Sequence, residues 1–78
     1  MSKSGATGIG KAIGMMPKTV NKILSQMGYI MKDKFGNWIL TELGKKKGGT
    51  YSQQTNYPVP TFDLENICLD IAEFLKQK

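Results

Sequence analysis

The feature that most constrains the fold of this chain is an apolar repeat that begins after Pro17. Apolar side chains recur at i, i+3, i+4 and i+7 until Gly28, and this spacing is typical of a helix with one buried face. Proline suits the first helical position, because its missing N–H would have no partner there. The sequence therefore predicts a helix over residues 17–27. Its buried face consists of Val20, Ile23, Leu24 and Met27.

A shorter helix is predicted just before it, over Ala6–Ile13. Ile9, Ala12 and Ile13 recur at i, i+3 and i+4, and Gly14 can end the helix in the left-handed conformation. Two glycines inside this segment each cost about 1 kcal/mol relative to alanine. The helix must therefore be stabilised by packing against its neighbour.

The two predicted helices fit the spacing of a helix-turn-helix. Helices that cross steeply need a small residue where their backbones approach, and a glycine in the turn that can adopt a positive φ. Gly10 occupies the first position and Gly14 the second. We therefore predict a helix-turn-helix over residues 6–28. Its pattern comprises Ile9, Gly10, Ile13, Gly14, Met15, Val20 and Ile23.

Shorter patterns predict the segments on either side. Residues 1–5 are small and polar and are expected to form a flexible arm. Two brief apolar runs flank turn residues in 29–40, which predicts a hairpin. Thr41 suits the N-cap of one or two helical turns over Glu42–Lys46.

The last third of the chain predicts a loop or hairpin and then a longer helix. Residues 50–62 admit either a loop or a weak second hairpin with Tyr51 and Val59 in its strands. Asp63 can cap a C-terminal helix over residues 63–76. Its apolar stripe is Leu64, Ile67, Cys68, Ile71, Ala72 and Leu75, widened by Leu69 and Phe74.

Composition excludes several classes of function. The 78 residues, which allow one domain, include a single cysteine, Cys68, and no histidine. This excludes a disulfide framework, a Cys/His zinc site and a histidine-based catalytic arrangement, so we expect no enzyme, no metal and no cofactor. Cys68 is interpreted as a small buried apolar residue. No stretch approaches the roughly 20 apolar residues that span a bilayer, so we expect a cytoplasmic protein without a membrane partner.

Positive charge is concentrated in the first part of the chain. Residues 1–48 contain nine lysines and two carboxylates, whereas residues 49–78 contain two lysines and four carboxylates. A cationic surface is typical of proteins that bind polyanions, because each lysine that neutralises a phosphate releases a counterion. The alternative is a surface that only keeps the protein in solution.

The same residues resemble a known family. The segments that carry the resemblance are Ile9, Gly10, Lys11, Gly14, Pro17 to Leu24, Gly28, Trp38 and Leu40 to Lys45. They are similar to the winged helix-turn-helix domain of phage antirepressors of the KilA-C type and of small phage regulators, over roughly residues 6–62. The resemblance implies that the hairpin is a wing and that residues 17–27 form the recognition helix. The expected fold is one α+β, mainly α domain over residues 1–78, with the C-terminal helix packed on its core.

A recognition helix places its outward side chains in the major groove of DNA. Asn21 can pair with adenine, Lys18 or Lys22 can donate to guanine, and Pro17 or Met16 can touch a thymine methyl group. The predicted base contacts are Pro17, Lys18, Asn21, Lys22 and Ser25. The predicted phosphate contacts are Lys11, Thr19, Lys32, Lys34, Lys45, Lys46 and Lys47. The chain has no arginine, so we expect modest sequence specificity and a strong dependence on salt.

These patterns lead to two hypotheses of function. The first is a phage or mobile-element transcription regulator that binds double-stranded DNA in the nucleoid of a bacterial host, as a homodimer paired through the helix over residues 64–75. The second is a phage-encoded inhibitor or adaptor that uses the same surface to bind a host protein. Trp38 and Tyr29 can either pack in the core or stack on unpaired bases. The methionines near the second helix can fill the core or form a partner surface.

Overall fold

The computed structural model describes residues 3–52 and 59–77, which form a small α+β arrangement, about half of it helical. This agrees with the predicted fold class at that level. The elements in chain order are β1 (Lys3–Ser4), α1 (Ala6–Ile13), α2 (Pro17–Gln26), β2 (Ile30–Lys32), β3 (Trp38–Leu40), α3 (Glu42–Lys46), β4 (Thr50–Ser52), β5 (Val59–Asp63) and α4 (Leu64–Lys76).

The turn between α1 and α2 is built on two glycines, as predicted. Gly14 has a φ of 74° and its N–H donates to the Gly10 carbonyl, which also accepts from Met15 N at 2.8 Å. A Cβ on Gly10 would lie 2.3 Å from the Met15 carbonyl oxygen, so only glycine allows this approach. One expected inner residue is placed differently, because Ala12 is exposed.

The hairpin predicted over residues 29–40 is present as antiparallel strands β2 and β3. Their register pairs Ile30 with Leu40 and Lys32 with Trp38. The predicted cap of the next helix is also present, because Thr41 Oγ1 accepts a hydrogen bond from Gly44 N at 3.0 Å.

The expectation of a flexible arm over residues 1–5 is wrong for Lys3 and Ser4. They form β1, which pairs with Asp63 and Phe62 of β5, and Lys3 Nζ donates to the Gly48 carbonyl at 2.6 Å. The physical reason is the free edge of β5, whose backbone groups need partners and find them in any extended segment that reaches them. Residues 1 and 2 lie outside the described residues.

The segment over residues 50–62 forms the hairpin alternative, with β4 and β5 antiparallel. The sheet order is β1–β5–β4, yet Pro60 lies in its middle strand, where a missing N–H normally breaks the ladder. The register explains this, because β1 pairs only with residues 62 and 63, so β5 has one neighbour at Pro60. The part of this segment over residues 53–58 lies outside the described residues.

The hydrophobic core joins both helices of the pair, the first hairpin, β5 and α4. Among the described residues Phe62 is the largest fully buried side chain, and its ring centre lies 6.0 Å from that of Tyr29. The buried core residues are Ile9, Val20, Ile23, Leu24, Tyr29, Ile30, Leu40, Phe62, Ile67 and Ile71.

The C-terminal helix α4 packs on this core through a narrower stripe than expected. Asp63 caps it by accepting from Asn66 N at 3.4 Å, and Ile67 and Ile71 are buried one turn apart. Ala72 and Leu75, which were expected inside, are exposed, because the core packs on the side of α4 that carries Ile67 and Ile71, with Leu64 and Phe74 half-buried beside them. Within the described residues, no helix has the length and apolar character needed to cross a membrane.

Candidate nucleic-acid interface

An open groove of about 540 Å³ lies between the polar face of α2 and the β2–β3 hairpin. The residues that line it are Lys18, Thr19, Asn21, Lys22, Ser25 and Gln26 from α2, and Lys32 and Trp38 from the hairpin. Three of these described residues are lysines and none is a carboxylate. The groove is therefore cationic, with amide and hydroxyl groups between the charges.

Helical periodicity explains why α2 presents these side chains together. Val20, Ile23 and Leu24 are buried, so the opposite side of the helix faces outward. Lys18, Lys22 and Gln26 are spaced at intervals of four and are exposed, which places them along one ridge. Asn21 and Ser25 form a second line with the same spacing and are half-buried.

The hairpin supplies the other wall of the groove. Lys32 and Trp38 are direct cross-strand partners, and Lys32 Nζ lies 5.1 Å from the centre of the Trp38 ring. This distance fits a cation–π contact, which holds the ammonium group beside the ring. Trp38 is half-buried, packs against the core and lines the groove, so it serves both as packing and as a groove surface.

Tyr29, the other aromatic residue considered for stacking, is a core residue. It is buried, and its hydroxyl donates to Asp70 Oδ2 at 2.9 Å. Burial, and after it the hydrogen bond and the negative charge of Asp70, raise the pKa of Tyr29 to about 12. Tyr29 lies in a separate depression of about 330 Å³, with Asp70 and Glu73 among its lining.

Six of the twelve predicted contact residues meet at the groove. They are Lys18, Asn21, Lys22 and Ser25 from the predicted base contacts, and Thr19 and Lys32 from the predicted phosphate contacts.

The other predicted contact residues lie away from its walls. Pro17 is exposed at the start of α2, and Lys11 is exposed in the last turn of α1. Lys34 lies at the hairpin tip, with its Nζ 5.2 Å from the centre of the Phe35 ring. The lysines of α3 and its C-cap are also separate. Lys45 lies 4.0 Å from Glu42, Lys46 is exposed in the last turn, and Lys47 borders the depression that contains Asp70 and Glu73.

Two groove residues, Gln26 and Trp38, are not among the predicted contacts, although Trp38 was considered for stacking on unpaired bases. Helical spacing alone could have found Gln26, because it follows Lys22 by four positions. Trp38 could be placed beside Lys32 only once the hairpin register was known. Asn21 and Trp38 also line a smaller cavity of about 170 Å³ that β5 helps to form. Both residues therefore lie between the groove and this cavity.

The lone cysteine lies apart from the groove and is half-buried on α4. Burial raises the pKa of the Cys68 thiol, which favours the protonated and less nucleophilic form. This agrees with the interpretation of Cys68 as a small apolar residue, but the side chain is half-buried, whereas it was expected to be buried.

Comparison with protein-family models, with curated proteins and with solved structures found no match to this chain. The resemblance to the antirepressor domains therefore stays a prediction. The chemistry of the groove is the basis for assigning a function.

Proposed function

We propose that this protein is a winged helix-turn-helix protein that binds double-stranded DNA with a sequence preference, as a phage or mobile-element transcription regulator. In this proposal α2 is the recognition helix and the β2–β3 hairpin is the wing. The observation that carries it is the single groove in which Lys18, Lys22 and Lys32 surround amide and hydroxyl groups without a carboxylate among the described lining residues.

The dimensions of α2 suit the major groove. A helix of 10 residues is roughly 15 Å long and about 10 Å across with its side chains, and the major groove is about 12 Å wide. The amides of Asn21 and Gln26 have the donor and acceptor pair that reads adenine N6 and N7. Lys18 and Lys22 can donate to guanine O6 and N7 from the same ridge.

The hairpin wall is assigned to the sugar–phosphate backbone. Lys32 lies across the groove from α2, where it can neutralise a phosphate of the strand that borders the major groove. Contacts of this kind fix the position of the protein and add salt dependence, whereas α2 reads sequence.

The chemistry of the groove favours DNA over a host protein as its ligand. Lysine is depleted in protein–protein interfaces relative to the rest of the surface, and the centres of such interfaces contain few charges. DNA, the proposed ligand, is a polyanion, and its charge is complementary to three lysines on one surface. A host protein remains the alternative occupant, and DNA titration separates the two.

The proposal includes a homodimer on a two-part site, with α4 as the contact between copies. Leu69 is 67% exposed and Leu75 is 38% exposed on this helix, which places apolar surface on the outside of the molecule. Two copies would double the number of base pairs that are read.

The test is a titration with duplex DNA at about 50 and 200 mM salt. Each of the three groove lysines brings a positive charge close to the phosphates, whether it contacts a base or the backbone, and the release of about three counterions predicts that affinity falls about 40-fold over this range. Detectable binding at low salt with this slope supports the proposal. No binding at low salt, or a salt-independent affinity, would overturn it and favour a protein ligand.

Matched variants assign the binding to the groove. Lys22→Ala and Lys76→Ala remove the same charge, one in the groove and one in the last turn of α4. We expect Lys22→Ala to weaken binding and reduce the salt slope by about 1, and Lys76→Ala to leave both nearly unchanged. Asn21→Ala should reduce the preference for one sequence over another. Equal effects of the two lysine variants would contradict the assignment to the groove.

A further inference from the structure

The tip of the β2–β3 hairpin exposes an aromatic ring beside the positive charge of Lys34. Phe35 is 77% exposed, more than any other large apolar side chain in the described part of the chain. It belongs to none of the described core packing, and the Lys34 ammonium lies 5.2 Å from its ring centre. Lys32 lies on the adjoining strand, in the wall of the groove.

The turn that carries Phe35 is held by its own hydrogen bonds. Asp33 Oδ1 accepts from Phe35 N at 2.8 Å and from Asn37 N at 2.9 Å. The Asp33 carbonyl also accepts from Gly36 N at 3.0 Å, and Gly36 has a φ of 83°, which favours glycine. The backbone of the tip is therefore ordered before any ligand binds, which reduces the entropy lost on binding.

We propose that Phe35 is an apolar wedge that enters the minor groove of DNA, separates two stacked base pairs and bends the duplex. This inference rests on the proposed function, because it needs α2 in the neighbouring major groove. It goes beyond that function by assigning a deformation of the DNA to one side chain outside the groove.

The geometry of the hairpin supports this placement. The wall residues Lys32 and Trp38 are the last residue of β2 and the first of β3, so the turn that carries Phe35 follows the wall directly and Phe35 is three residues beyond Lys32. A minor groove about 6 Å wide excludes a helix but admits a single ring at a narrow tip. Lys34 lies beside the Phe35 ring and Lys32 lies beside Trp38 on the same hairpin, and both can neutralise phosphates that border that groove.

The chemistry of Phe35 also fits this role. Proteins that kink DNA from the minor groove insert apolar side chains, including phenylalanine, between base steps. Pyrimidine–purine steps unstack most easily, so the wedge adds a preference for such a step beside the bases that α2 contacts. The hairpin carries two lysines, Lys32 and Lys34, against the one carboxylate of Asp33, and this excess of positive charge favours a polyanion over an apolar protein pocket.

The experiment uses a duplex of about 30 base pairs, selected from a random pool with the full chain. One version carries a donor and an acceptor dye at its ends, so that energy transfer reports bending. A second version carries 2-aminopurine at successive positions, because its fluorescence rises when the base is unstacked. The proteins compared are the wild type, Phe35→Ala, Phe35→Leu and the control Met31→Ala, which removes a side chain that is 50% exposed on the same hairpin.

We expect wild type, Met31→Ala and Phe35→Leu to increase energy transfer and to raise 2-aminopurine fluorescence at one step. Phe35→Ala should leave both signals at the values of free duplex while its affinity changes by less than about tenfold, because the cost of unstacking disappears together with the contacts. Binding by the wild type without bending or unstacking overturns the wedge and leaves the proposed function intact. Bending and unstacking signals with Phe35→Ala that equal those of the wild type also overturn the wedge and leave the proposed function intact. Absence of any DNA binding overturns both the wedge and the proposed function.

Discussion

Gly10 lies where the turn after α1 folds back onto the helix. A Cβ here would meet the Met15 carbonyl oxygen at 2.3 Å and its carbon at 3.3 Å, and both are backbone atoms that cannot rotate away. Gly10→Ala should therefore lower the free energy of unfolding by about 1–3 kcal/mol, despite the better helix propensity of alanine.

Urea denaturation measures this change, with Gly8→Ala as the control in the same helix. A Cβ on Gly8 would lie 3.0 Å from the Ser4 side chain and meet no backbone of the turn, so its effect should be smaller. A Gly10→Ala protein as stable as the wild type would contradict the close approach.

Tyr29 makes the free energy of unfolding depend on pH in the alkaline range. Its pKa is raised from 10.0 to about 12 in the folded state, first by burial and then by Asp70. A raised folded pKa means that the stabilisation is fully present below pH 10 and is lost as pH rises from about 10 to 12. The wild type should therefore lose stability over this range more steeply than Tyr29→Phe.

The measurement is the free energy of unfolding of both proteins at pH 8, 10 and 11. All other titrating groups are shared, so the difference between the two curves isolates Tyr29. Tyr29→Phe should be less stable at pH 8, since it lacks the hydrogen bond to Asp70. Parallel curves from pH 8 to 11 would show that Tyr29 does not carry this dependence.

At the level of elements, local rules account for the helices and the first hairpin. The repeat after Pro17, the glycine at position 14 and the capping side chains of Thr41 and Asp63 act within a few residues of themselves, so the sequence is enough to predict them. Strand β1 could not be predicted in this way. Lys3 and Ser4 carry no apolar pattern, and what orders them is the edge of β5, near the other end of the chain.

In the candidate site too, the features set by local sequence could be predicted and those set by tertiary packing could not. Periodicity was enough to predict which residues of α2 face outward, because one buried face fixes the other. The hairpin wall was less predictable, since the position of Trp38 against α2 depends on how the hairpin packs on the core. Charge alone did not identify the lysines of the groove, because composition does not tell which lysines share a face. The lysines that were predicted as contacts on this basis but lie elsewhere include Lys11, Lys45, Lys46 and Lys47.

The whole molecule is small relative to a regulatory DNA site. Its longest dimension is 33 Å, about one helical turn of DNA, so under the proposed function one copy would cover one half-site. We therefore expect a dimer paired through the exposed side of α4. Sedimentation velocity of wild type and Leu69→Glu tests this, since a buried glutamate at the contact should convert the dimer to a monomer.

Leu43→Glu is the matched control for this measurement, because Leu43 is also exposed but lies on α3. It should leave the sedimentation coefficient unchanged. A wild-type protein that sediments as a monomer at every concentration and on DNA would contradict pairing. A dimer that Leu69→Glu does not disturb would place the contact on another face.

The pairing of β1 with β5 also has a consequence for the synthesis of the protein. Lys3 and Ser4 have their strand partners at Asp63 and Phe62, and Phe62 is the largest of the fully buried side chains in the described residues. A nascent chain therefore lacks both the partner of its first strand and the centre of its core until these late residues leave the ribosome. The cationic half is made first but needs β5 to complete its packing, so the proposed DNA-binding surface cannot reach its native form until β5 has been synthesised.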